Sequence, residues 1–166
     1  MNGKLLINYG LIKMIMSIKL SFTNEAKEQV GERIFKPLFA RFSEILATKI
    51  KKIIAEKIGK ISLIIVNDKK IQKINKEFRG FDKPTDVISF EYMEDSSAVH
   101  GGDEILVGDI FISLDTAKRQ AKERDHSLQK ELEVLFVHGL LHVFGFDHND
   151  DKEEAEMEKW AKKILG

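Results

Sequence analysis

Apolar and polar residues alternate over Ile18-Lys19-Leu20-Ser21-Phe22, which predicts a strand with one buried face. Thr23 and Asn24 follow and can cap a helix. The next apolar stripe has a period of four (Val30, Ile34, Leu38, Phe42). Phe35, Phe39, Ile45 and Leu46 widen it, so a helix is predicted here. Pro37 falls inside that stripe and predicts a break or kink. Ile61-Ser62-Leu63-Ile64-Ile65-Val66 is short and rich in β-branched residues, as a central strand is. Asn67 or Asp68 can start a helix whose narrow apolar face is Ile71, Ile74 and Phe78. Gly80 and Pro84 mark an irregular link to a third strand, Asp86-Val87-Ile88-Ser89-Phe90.

Residues 91–105 are acidic, contain Ser96, Ser97, Gly101 and Gly102, and read as a loop. A fourth strand is expected over residues 107–113 and a helix over residues 114–124. Ser127 can cap a long helix reaching about Phe144, which Gly145 ends. Asn149 or Asp150 can cap a last helix that carries Met157, Trp160, Ile164 and Leu165. No repeat, low-complexity tract or linker divides the chain. The expected fold is one α+β domain, a small mixed sheet of about four strands packed with about five helices.

Composition changes this picture little. The 166 residues are 43% hydrophobic, enough for a single core. Basic and acidic side chains number 27 each, so bulk charge favours neither nucleic acid nor a membrane surface. Residues 49–79 are locally basic, with ten Lys and Arg against Glu56, Asp68 and Glu77. Such a stretch can follow phosphates or simply be a solvated face. Cysteine is absent, so any metal must be held by His and carboxylates. That absence fits a cytoplasmic protein. Lys4, Asn8, Lys13 and Lys19 interrupt the apolar N-terminus well short of the ~20 residues of a membrane span. With Met14 and Met16 ahead of the first strand, residues 1–15 read as an extension and residues 16–166 as the domain.

The chemistry concentrates in His138-Gly139-Leu140-Leu141-His142-Val143-Phe144-Gly145-Phe146-Asp147-His148. His138 and His142 are four apart, about 400° of helix, and so share one face. Gly145 can end the helix and let the chain turn back, bringing His148 to the same ion. Three neutral imidazoles with one position left for water make a catalytic zinc-type site, although nickel or copper also suit three histidines. Two rings bonded to backbone carbonyls or other side chains would be the plainer arrangement. His100 and His126 read as solvated or capping. The spacing resembles that of the metzincin proteases. Those carry Glu directly after the first His, where this chain has Gly139, so a peptidase would lack its proton acceptor.

The histidine block is similar to the signature of the YbeY family, bacterial endoribonucleases of ribosomal RNA maturation. A second block supports the likeness: Phe78-Arg79-Gly80, then Asp82-Lys83-Pro84-Thr85-Asp86-Val87-Ile88-Ser89-Phe90. A weaker third is Gly108-Asp109-Ile110-Phe111-Ile112-Ser113. The likeness spans about residues 16–165. It implies that His138, His142 and His148 hold one zinc ion and that Arg79 is a basic residue needed for activity. It implies a metal-dependent endoribonuclease acting on single strands, in ribosomal RNA maturation and ribosome quality control, in the cytoplasm. Ribosomal RNA and ribosomal or ribosome-associated proteins would be its partners. Asp147 either orients a ligand ring or helps form the turn, and Ser89 is placed near the cleft by the same likeness. Two other readings stand beside this one, a metzincin-like metallopeptidase and a non-enzymatic ribosome-assembly factor with a structural metal.

Overall fold

Among the described residues, four strands form one mixed sheet in the order β1-β2-β4-β3. They are β1 (Ile18–Asn24), β2 (Ile58–Val66), β3 (Val87–Glu91) and β4 (Glu104–Ser113). β1, β2 and β4 are parallel, and β3 runs antiparallel on the edge beside β4. Parallel neighbours need long crossovers, which helices supply. These are α1 (Lys36–Ile45), α2 (Ala47–Ile54), α3 (Asp68–Arg79), α4 (Leu114–Glu123), α5 (Leu128–Val143) and α6 (Asp151–Leu165). This computed structural model describes residues 18–54, 57–92, 104–147 and 150–166. The expected α+β domain with a four-stranded mixed sheet is the one observed.

The sheet's two faces differ. One carries Ile61, Leu63, Ile65, Ile110 and Ile112, all fully buried under α1, α2, α4, α5 and α6. Phe35 meets Phe136 edge-on at 5.1 Å, and Phe42 meets Phe144 at 5.0 Å, locking α1 onto α5. The opposite face carries a smaller cluster, in which Ile71 of α3 packs with Val66 and Ile88. α5 is the central helix, buried at nine of its sixteen positions and in contact with β3, β4, α4 and α6.

Several expectations need correction. The period-four stripe is not one helix. Pro37 lies at the first turn of α1, where its missing N–H costs nothing, so it starts the helix rather than breaking it. The break falls at Leu46, which leaves helical geometry at φ −100°, and α2 follows as a sixth α-helix beyond the five expected. The isoleucines of Ala47–Ile54 have modest helix propensity, and their burial against the core holds the segment helical. Asn24 caps no helix: its side chain accepts from the Ala26 N–H at 2.9 Å and shapes a turn. β4 begins at Glu104, inside the expected loop, and residues 93–103, His100 among them, lie outside the described residues. So do residues 1–17 and with them the expected extension.

The expected caps at Asn67, Ser127 and Asp150 are all made, each side chain accepting backbone N–H groups of its helix's first turn. No helix among the described residues is long and apolar enough to cross a membrane.

Candidate active site

α5 ends in a glycine-stopped turn. Phe146 N–H donates to the Leu141 carbonyl and Gly145 N–H to that of His142, at 3.0 and 2.9 Å. That pairing requires a left-handed residue, and Gly145 supplies it at φ 71°. One turn back on the same helix, His138 and His142 are half-buried and project into a cleft. Their Nε2 atoms are 3.1 Å apart, with the rings steeply inclined at 77°. Two ligands of one tetrahedral ion, with bonds of roughly 2.0–2.1 Å, sit about 3.3 Å apart. The pair therefore fits a shared cation. A ring-to-ring hydrogen bond is the other arrangement this distance allows. Among the described residues no third His or carboxylate completes a metal cluster. His148, the third expected ligand, lies outside the described residues.

The cleft has a volume of about 450 Å³ and follows the edge strand β3. It is lined by Arg79, Thr85, Asp86, Val87, Ile88, Ser89, His138, His142 and Asp147. A smaller hollow of about 290 Å³ continues it past Ser89, Glu91, His142, Gly145, Phe146 and Asp147. Arg79, some sixty residues from the histidines in sequence, thus opens onto the same space as they do. It is the last residue of α3, where Gly80 takes over in the left-handed conformation at φ 76°. No carboxylate among the described residues pairs with its guanidinium, so the charge is available to an anion. Ser89 lines the cleft, as the likeness implied, and so does Asp147.

Thr85 and Asp86 also face the cleft, and residue chemistry alone had not marked them, although both sit within the second sequence block. Asp86 accepts from Gln120 Nε2 at 2.9 Å, Val87 N at 2.8 Å and Thr85 Oγ1 at 3.1 Å. Burial raises its carboxyl, but these hydrogen bonds outweigh burial and hold it below the ordinary value of 3.8. It is a fixed negative charge in the wall facing the histidines. The loop before it is clamped onto α3: Asn75 Nδ2 donates to the Lys83 carbonyl, Gln72 to Asp82, and Lys76 pairs with Asp82.

Gly139 has a packing role. A Cβ there would lie 2.7 Å from Ile110 Cγ2, so the position points into the sheet and away from the cleft. A metzincin-type Glu could not occupy it while α5 keeps this approach to β4. His126 is neither solvated nor a cap. Its ring, with Arg124, meets the fully buried Glu131 carboxylate at the start of α5. Asp109, from the third block, accepts from the Tyr92 hydroxyl at 3.0 Å. The basic stretch of residues 49–79 is divided by the fold, since α2 packs on one face of the sheet and α3 on the other.

The structure is thus a small α+β domain that turns an imidazole pair, an arginine without a carboxylate partner and a fixed carboxylate into one cleft. The family model for endoribonuclease YbeY matches residues 21–166, and the chain belongs to that family. An endoribonuclease YbeY of Heliobacterium modesticaldum is 46% identical over 111 residues, 63% of this chain and 67% of the relative. The Bacillus licheniformis protein of that name is 50% identical over 111 residues, covering 64% and 70% of the two chains. That of Staphylococcus carnosus is 38% identical over 145 residues, covering 87% and 94%. The solution structure of TM1509 from Thermotoga maritima shares the fold, with a TM-score of 0.50 at 24% identity over 89% of this chain and 90% of that one.

Proposed function

We propose that this chain is a metal-dependent endoribonuclease that cuts single-stranded segments during ribosomal RNA maturation and ribosome quality control, in the cytoplasm and in company with ribosomal proteins. The observation that carries the proposal is the 3.1 Å approach of the His138 and His142 Nε2 atoms inside a cleft that also receives Arg79. His138, His142 and His148 would hold one zinc-type ion. Such an ion supplies Lewis acidity and activates water near neutral pH without a neighbouring Glu.

The other steps fall to side chains of the cleft. Phosphodiester hydrolysis builds negative charge on the non-bridging oxygens. Arg79 offers a permanent charge and forked donors to them. The Thr85 and Ser89 hydroxyls line the same wall and can bond phosphate or ribose oxygens. Asp86, ionised and saturated with hydrogen bonds, keeps that wall in place. An extended strand can run along β3 because β3 is the sheet's edge.

The test is direct. Purified chain, checked by elemental analysis for one bound ion, should cleave an unpaired RNA. Chelation should stop cleavage and added zinc restore it, while His142→Ala should lose both metal and cleavage. Cleavage that persists at full rate in the metal-free protein would sink the proposal.

A further inference from the structure

Large exposed apolar side chains are few among the described residues: Phe78 is 61% exposed, Phe81 54% and Leu106 44%. Scattered singly, such residues mean little. Two of these three, however, flank Arg79 and Gly80 at the end of α3, beside the cleft. Phe78 is held in place, its ring edge-on to Phe90 at 4.9 Å and 67°, and Phe90 in turn rests on Phe111 at 6.0 Å. One side of the Phe78 ring is thus supported by the sheet while most of its surface stays open to solvent.

Residues 76–84 are exposed throughout and interleave aromatic with basic side chains, Lys76, Phe78, Arg79, Phe81 and Lys83, with Glu77 and Asp82 as the acidic members. Lys76 is committed to Asp82, whereas neither Arg79 nor Lys83 has a carboxylate partner among the described residues. Rings set between free cations suit a polymer that alternates flat apolar faces with negative charges. Unpaired RNA is such a polymer. Its bases stack on exposed aromatics while its phosphates track the cations.

We infer that Phe78 and Phe81 form a stacking platform for unpaired bases next to the scissile phosphate, so that the enzyme grips single strands by their bases as well as their backbone. The inference rests on the endoribonuclease reading, which supplies the phosphate at Arg79. A duplex keeps its bases stacked inside the helix and offers none to the platform. The preference for single strands therefore acquires a physical cause in two side chains outside the metal centre.

Binding, measured apart from cleavage, tests this. Fluorescence anisotropy in chelator would follow a labelled oligouridine and an abasic strand of the same length. Phe78→Leu and Phe81→Leu retain apolar bulk but lose the π-face; Phe78→Leu also gives up the edge-on contact with Phe90, so melting curves confirm that each variant is folded at the assay temperature. Their combination should weaken oligouridine binding about tenfold or more and leave abasic-strand binding unchanged. Phe78→Tyr should bind as wild type does. The salt dependence should keep its slope in the leucine variants and become shallower in Arg79→Ala, which alone loses a phosphate contact. Equal weakening on both strands, or none on either, overturns the platform. A wild type that binds neither strand overturns the platform, while the nuclease reading still stands or falls on cleavage by the metal-loaded protein. A wild type that favours oligouridine over the abasic strand through these rings yet never cuts RNA keeps the platform and refutes only the nuclease.

Discussion

α5 and α3 both stop at a left-handed glycine, and both deliver side chains to one cleft, yet they are held in opposite ways. α5 is walled in by the sheet and by α4 and α6, and its histidines occupy the single stripe that opens outward. α3 rests on a small cluster on the sheet's other face, and its last turn and the following loop are exposed. The histidine side of the cleft is thus an extension of the core. The Arg79 side is a surface feature, clamped by Gln72, Asn75 and Lys76. Chemistry and stability should be entangled along α5 and separable at the end of α3.

Arg79→Ala is the sharpest test of that separation. Loss of one charged donor to a developing oxyanion should lower cleavage about 10²–10³-fold. The guanidinium has no carboxylate partner to abandon, so the unfolding free energy should move by less than about 0.5 kcal/mol. Single-turnover cleavage with saturating metal and a melting curve on the same preparation give both numbers. A fall of several degrees in melting temperature would show that α3 is not the independent wall described above.

Gly139→Ala examines the other helix. Alanine improves intrinsic helix propensity by about 0.8–1.0 kcal/mol. Its Cβ, however, would press within 2.7 Å of Ile110 Cγ2, and overpacking of this kind costs roughly 1–3 kcal/mol. Taken together, denaturant unfolding should report a net loss of up to about 2 kcal/mol. Ile110→Ala in the same chain should cost less than the two single changes added together. A variant more stable than wild type would mean that α5 can lift off β4 without penalty, and the contrast between the helices would lapse.

The two regions were also unequally legible in the sequence. α5 could be read because local rules agree there: Ser127 caps, Gly145 stops, and a four-residue spacing sets two rings on one face. The cleft's other wall depends on tertiary contacts that no periodicity encodes. Nothing local shows that Asp86 would take a hydrogen bond from Gln120, thirty-four positions on. Likewise, a missing Glu at Gly139 looked like a chemical deficit, whereas its cause is the nearness of Ile110. Helix α2 was within reach of the same rule, because the four-residue spacing continues from Leu46 through Ile50 to Ile54, all three buried. The basic stretch misled because residues adjacent in sequence end on opposite faces of the sheet.

Asp86 anchors the less buried of the two regions, because its carboxylate ties the loop after α3 to α4. Its pKa in the folded protein lies below 3.8, as the hydrogen bonds it accepts outweigh its burial. A depressed carboxylate stabilises the fold when ionised. That contribution is complete above the unfolded value and disappears as pH falls through the folded one. Asp86→Asn should therefore be less stable than wild type at pH 7, by about 1 kcal/mol for hydrogen bonds to a charged group in a partly buried site. The gap between the two proteins should close as pH drops below 3.8. Asp68, also depressed, titrates in both chains and cancels in the difference. Urea unfolding of both proteins from pH 7 to pH 3 reads the gap directly. If it stays constant across that range, neutral hydrogen bonding rather than charge holds the loop, and the cleft wall opposite the histidines carries no fixed negative charge.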